Sequence, residues 1–289
     1  MNEFEYRAPQ TLAEALADYS AHPSAKLLAG GTDLIVQMRA GRKTPDVVLD
    51  IKHIAELNEL SYDAAKGLTL GAAVPCHIIH NSDVVKREYP ALAELAGIIG
   101  GTAIQGRASI GGNLCNSSPS ADSIPLLIAM GAICRIASAK GERTVPVESF
   151  CTAPGRNVLE PGELLVSLQI PAKSKGTGSY YLRFIPRNEM DIAVVGAGVE
   201  VTLSDGKISA ARVALAAVAP TPLFVTEAGA ALIGKEPGSE AFEAAAQAAR
   251  NAATPISDMR GTVAYRKHLC AVITRRALEA AVAQAKERQ

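Results

Sequence analysis

Two glycine pairs carry the clearest chemistry in the chain. Residues 109–125 read SIGGNLCNSSPSADSIP, with Gly111 and Gly112 side by side. Residues 26–34 read KLLAGGTDL, with Gly30 and Gly31 closing an apolar run. A residue without Cβ tolerates positive φ and lets the backbone come close to a bulky ligand. Successive N–H groups in such a turn converge on an anion. Ser109, Asn113, Asn116, Ser117 and Ser118 add neutral hydrogen-bonding groups. Asp122 is an acceptor suited to sugar hydroxyls or an amine, not to phosphate. One such turn alone reads as a tight connection between elements. Two of them can hold the two ends of one pyrophosphate, which points to a nucleotide site.

Other chemistries are not visible. Neither pair is followed by Gly-Lys-Ser/Thr, as a P-loop requires, and neither fits G-x-G-x-x-G. The G-x-G at Gly196 and Gly198 lies inside AVVGAGVEVTL, a continuous strand pattern. The 5 cysteines form no C-x-x-C and the 5 histidines no H-x-x-x-H, so no ligand set for an iron–sulfur cluster or structural zinc stands out. Cys115, inside the second stretch, reads as a small side chain packed beside a ligand. No Ser/His/Asp or paired-carboxylate constellation appears. Lys plus Arg and Asp plus Glu both number 29, so no global field favours nucleic acid or an anionic membrane. No apolar run is long enough to span a bilayer. The opening MNEFEYRAPQ lacks the apolar core of a signal peptide, so the expected location is cytoplasmic.

With their flanks, the two motifs resemble the FAD-binding (medium) subunit of the molybdenum hydroxylases, the xanthine dehydrogenase and carbon monoxide dehydrogenase group. The resemblance extends through PGELLVSLQIP (161–171), RNEMDIAVVGAGVEV (187–201) and YRKHLCAVITRRALE (265–279), in a chain of matching length. It implies an oxidoreductase subunit carrying noncovalent FAD. In the family, a large subunit with the molybdenum cofactor oxidises substrate, and electrons cross [2Fe-2S] clusters in a small subunit. They reach FAD on the medium chain and leave to an external acceptor: NAD, a quinone, ferredoxin or dioxygen. A dimer of heterotrimers is the implied assembly. Relatives resembling the flavin subunit of 4-hydroxybenzoyl-CoA reductase carry a cysteine-rich insert after the second glycine motif, which this chain lacks.

Residue by residue, the resemblance has Lys26, Leu27, Leu28, Ala29, Gly30, Gly31, Thr32, Asp33 and Leu34 line the flavin and its pyrophosphate. Ser109, Ile110, Gly111, Gly112 and Asn113 would cradle the other side. Asp122 would face ribityl or ribose hydroxyls, Ile99 would pack beside a ring, and Leu165 would touch the adenine or flavin edge. Arg183 would lie near the flavin carbonyls, where positive charge favours the reduced form; its plain alternative is a solvated strand arginine. Hydrogen bonds to charged groups contribute about 1.5–3 kcal/mol each, so a few backbone donors could hold FAD without a covalent link. Two other readings remain at this point: a stand-alone FAD-dependent oxidoreductase, and a non-catalytic nucleotide-binding subunit.

The elements that must position these residues follow from pattern. Thr11 and Glu14 form a capping box before a helix with Leu12, Leu16 and Tyr19 on one face. A strand through LLA, a short helix over 33–40 and the strand VVLDI make a small α/β unit over 1–54. A second unit, 55–175, has a strand over 68–74 and helix starts at Pro75 and Pro90, with a buried helix through AELAGIIG. A helix from Ser120, strands over 132–137 and 143–147, and the strand ELLVSLQI complete it. KSKGTG (173–178) reads as a linker. Over 179–289, three long strands are expected, two joined by the hairpin signal Ser204-Asp205-Gly206-Lys207, then helices over 226–233, over 240–251 and from Arg260. The fold class is α+β: a two-part FAD-binding α/β domain, then an antiparallel sheet with helices on one side.

Overall fold

The computed structural model describes residues 2–289. The chain opens with β1 (Glu5–Arg7), α1 (Leu12–Ala21), β2 (Lys26–Leu28), α2 (Leu34–Arg39) and β3 (Val47–Asp50). The three strands are parallel in the order β1-β3-β2, and such neighbours need helical crossovers, which α1 and α2 supply. Thr11 caps α1 by accepting the Glu14 N–H at 3.2 Å, and the Glu14 carboxylate accepts the Gln10 N–H at 2.8 Å. The first glycine pair lies between β2 and α2, at the carboxyl end of a parallel strand, where open α/β sheets bind ligands.

Next come β4 (Leu60–Asp63) and β5 (Gly67–Gly71), followed by six helices: α3 (Cys76–Asn81), α4 (Asp83–Glu88), α5 (Pro90–Ile98), α6 (Thr102–Gln105), α7 (Ile110–Asn116) and α8 (Ser123–Ala129). Strands β6 (Ile133–Ser138) and β7 (Gly141–Pro146), the hairpin β8 (Cys151–Ala153) and β9 (Arg156–Asn157), and β10 (Leu164–Ile170) complete this part. Its sheet is antiparallel in the order β4-β5-β10-β6-β7. Pro75 and Pro90 do start helices, α3 from the N-cap and α5 from its first turn. The strand expected over 68–74 ends at Gly71, and the helix expected from Ser120 starts at Ser123 with Asp122 at its N-cap.

The second glycine pair is not a turn. It is the first turn of α7, whose N-cap Ser109 accepts the Gly112 N–H at 3.0 Å. Of the glycines in the two motifs only Gly31 has positive φ, +75°. Gly111 is required for another reason: a Cβ there would lie 2.5 Å from the Ala72 Cα, so the helix packs directly on the backbone after β5.

The remaining elements are β11 (Thr177–Phe184), β12 (Val195–Ser204), β13 (Lys207–Ala216), β14 (Leu223–Phe224), α9 (Thr226–Ala230), α10 (Ser239–Ala252) and α11 (Val263–Glu287). The sheet is antiparallel in that strand order. Asp205 and Gly206 are both left-handed, at φ 52° and 75°, as the tight hairpin between β12 and β13 demands. One face of β12 (Val195, Ala197, Val199, Val201) shares a core with Leu269, Ile273 and Leu278 of α11. The opposite face docks on α8. A Cβ at Gly198 would lie 2.4 Å from the Pro125 carbonyl carbon, and one at Gly196 would lie 2.5 Å from the Tyr181 hydroxyl. The G-x-G therefore lies in the close-packed seam between this sheet and α8. KSKGTG is no free linker: Lys173 is buried in an ion pair with Glu200, and Thr177 already belongs to β11. Among the described residues, no helix is long and apolar enough to cross a membrane.

Candidate functional site

The two glycine motifs, nearly eighty residues apart in sequence, form facing walls of one cleft of about 330 Å³. From the first unit Leu27, Ala29, Gly30, Gly31, Thr32, Asp33, Leu34, Gln37 and Lys43 line it. From the second come Ile99, Ile104, Ala108, Ser109, Gly112, Asn113, Cys115 and Asn116. The walls meet tightly. A Cβ on Gly30 would sit 2.0 Å from the Arg107 carbonyl oxygen, and Arg107 Nε donates to the Gly30 carbonyl at 3.4 Å. Across the cleft, Gln37 Nε2 donates to Asn116 Oδ1 at 3.2 Å.

Among the described residues, the N–H groups of Gly30, Gly31, Thr32, Asp33 and Leu34 donate to no protein acceptor. They are the orphan donors expected where a strand turns into a helix, and they suit an anion. Lys43 adds a cation whose pKa is lowered by burial and by Lys26, and Asp33, raised by burial, is its partial counter-charge. Burial pushes the Cys115 thiol up to about 12, so it is a packed thiol and not a nucleophile.

The structure sorts the expected site residues. Eleven of them line the cleft: Leu27, Ala29, Gly30, Gly31, Thr32, Asp33, Leu34, Ile99, Ser109, Gly112 and Asn113. Lys26 and Leu28 do not, because alternation along β2 turns them away from Leu27 and Ala29. Ile110 and Gly111 back α7 onto the core, and Leu165 is buried within β10. Asp122 and Arg183 find each other instead, at 2.5 Å, with Tyr181 donating to Asp122 Oδ1 at 2.6 Å. Arg183 is thus no solvated arginine; its side chain is 10% exposed. Gln37, Lys43, Ile104 and Ala108 were not singled out from sequence. Gln37 lies one helical turn past Leu34, so continuing the first motif along α2 would have found it.

Residues 2–173 match the family model described as the FAD binding domain in molybdopterin dehydrogenase, and residues 180–281 match the CO dehydrogenase flavoprotein C-terminal domain. The chain belongs to the FAD-binding subunits of the molybdenum hydroxylases. As a member of that family it is an oxidoreductase subunit. It is similar to the xanthine dehydrogenase FAD-binding subunit of Escherichia coli O157:H7, 32% identical over 281 residues, covering 97% of this chain and 96% of the relative. It is also similar to the carbon monoxide dehydrogenase medium chain of Hydrogenophaga pseudoflava, 34% identical over 282 residues, covering 97% and 98%. A solved structure of carbon monoxide dehydrogenase from that organism superposes with a TM-score of 0.94 at 35% identity, covering 98% of each chain. A quinoline 2-oxidoreductase from Pseudomonas putida 86 superposes at 0.91 with 29% identity, again over 98% of each.

The cleft fits the family's cofactor on its own chemistry. Five unpaired N–H groups and Lys43 can receive a pyrophosphate, Gly30 and Gly112 leave the backbone bare, and the apolar side chains of Leu27, Ile99 and Ile104 offer a surface to rings.

Proposed function

We propose that this chain is the electron-transfer subunit of a three-chain molybdenum hydroxylase. It would stand between [2Fe-2S] clusters on a small partner and an external acceptor, with the molybdenum cofactor on a large partner and a dimer of heterotrimers as the assembly. The observation that carries the reading is the convergence of both glycine motifs on one cleft, with the donors of residues 30–34 turned to no protein acceptor. FAD, held there noncovalently, supplies the capacity to take up and release electrons in single or paired steps. The chain's own part is to bind and orient. Gly30, Gly31 and Thr32 would present N–H groups to the pyrophosphate, and Ser109, Gly112 and Asn113 would close the opposite wall. Ile99 would pack against a ring, as the resemblance has it. Among the described residues, no group of three or more His, Cys, Asp or Glu is arranged to hold a metal ion.

Affinity purification of the tagged chain from its own cells tests this. FAD should be on this chain, with iron and molybdenum on co-purifying small and large chains. Stripping FAD should stop acceptor reduction while substrate still reduces the clusters. Iron or molybdenum on this chain, or undiminished acceptor reduction without FAD, overturns the reading.

A further inference from the structure

Asp122 stands at the N-cap of α8, where an aspartate ordinarily caps its own helix, yet its side chain makes no capping bond. The carboxylate is committed across the seam instead. Tyr181 and Arg183 alternate onto the same face of β11 and take one oxygen each. The second arm of Arg183 continues the line, since Nη2 donates to the Ile98 carbonyl at 3.0 Å, and the next residue, Ile99, is a wall of the cleft. The Tyr181 ring is buried, its hydroxyl fits because residue 196 is glycine, and Tyr181 does not line the cleft. Gly100, at φ +62°, turns the chain directly after Ile99, and the Ile98 carbonyl is held by Arg183 just before that turn.

We infer that Tyr181 is a positioning residue for the cofactor cleft: it orients Asp122, Asp122 orients Arg183, and Arg183 clamps the Ile98–Ile99 backbone that forms the cleft's apolar wall. The C-terminal sheet thereby sets the shape of a site otherwise built by the first two units. This rests on the FAD reading above and assigns a role to a residue outside the cleft. Loss of the Tyr181 hydroxyl loosens the carboxylate, then the guanidinium, then the wall.

The test is FAD binding by the full-length chain, followed by flavin fluorescence quenching and by visible circular dichroism of the bound cofactor. Tyr181→Phe should weaken FAD roughly tenfold, about the worth of one charge-assisted hydrogen bond, and should alter the dichroism. Because Tyr181 acts through Asp122, the double variant Y181F/D122N should bind no more weakly than D122N alone. Arg183→Gln, at the edge of the seam, should show the same altered dichroism and a comparable loss, and serves if Y181F does not fold. Unchanged affinity and dichroism in Y181F, or in R183Q, overturns the inference, as do losses that simply add in the double variant. A wild-type chain that takes up no FAD overturns the functional reading itself, a separate outcome from wild type and variants binding alike.

Discussion

At the residue scale, the two glycines of the first motif do different work. Gly31 is left-handed, and an added Cβ would also press on Leu28 and Ile35. Gly31→Ala should therefore cost about 1–2 kcal/mol of strain and weaken FAD by about tenfold, measurable by fluorescence titration. Gly41 is also left-handed, at φ +67°, but opens onto space and does not line the cleft. Gly41→Ala should cost stability without touching FAD affinity, which separates backbone strain from site geometry. Lys43→Gln should weaken FAD a few-fold at low salt and flatten the salt dependence of binding. The glycine motifs were legible because their residue types are special wherever they fall. Lys43 and the Asp122–Arg183 pair were not, because each becomes meaningful only when distant segments meet, and Asp122 and Arg183 lie 61 residues apart.

At the element scale, long periodic segments were readable and short ones were not. The two long hairpin strands β12 and β13 and the 25-residue α11 announce themselves by alternation or by helical spacing. Helices α3, α4 and α6 have 6, 6 and 4 residues, less than two turns, so no period can emerge. Helix α7 was missed for a different reason. Its IGGNLCN has poor helix propensity, and the Ser109 cap with packing on Ala72 holds it. The seam makes the sharpest demand on sequence. Gly198→Val forces a side chain into the Pro125 backbone and should cost about 1–3 kcal/mol or more in thermal unfolding. Another tie is testable by pH. Arg143 bonds both oxygens of Glu163, at 2.7 and 2.6 Å, joining β7 to the approach to β10. That bonding holds the Glu163 carboxyl below its ordinary value of 4.5. Since the folded pKa is depressed, the stabilisation is present above 4.5 and is lost as pH falls through the folded value. Glu163→Gln should lower Tm near neutral pH and leave a shallower acid limb in melting curves.

At the scale of the whole molecule, the cleft is shared by the first two parts of the chain, while the third docks by its sheet face. FAD binding should therefore stabilise the chain as a unit. At a hundredfold excess over Kd the gain is about 2.7 kcal/mol. That corresponds to roughly 4 °C in Tm for a chain of this size. The charge balance, 29 against 29, leaves recognition to this local geometry and not to a global field. The central claim is that the two glycine motifs build a FAD site, and the most direct measurement is an absorption spectrum of the purified chain before and after acid release. A flavin spectrum is expected, with FAD released near one per chain. A colourless chain that also fails to take up added FAD would contradict it and leave the cleft without its ligand.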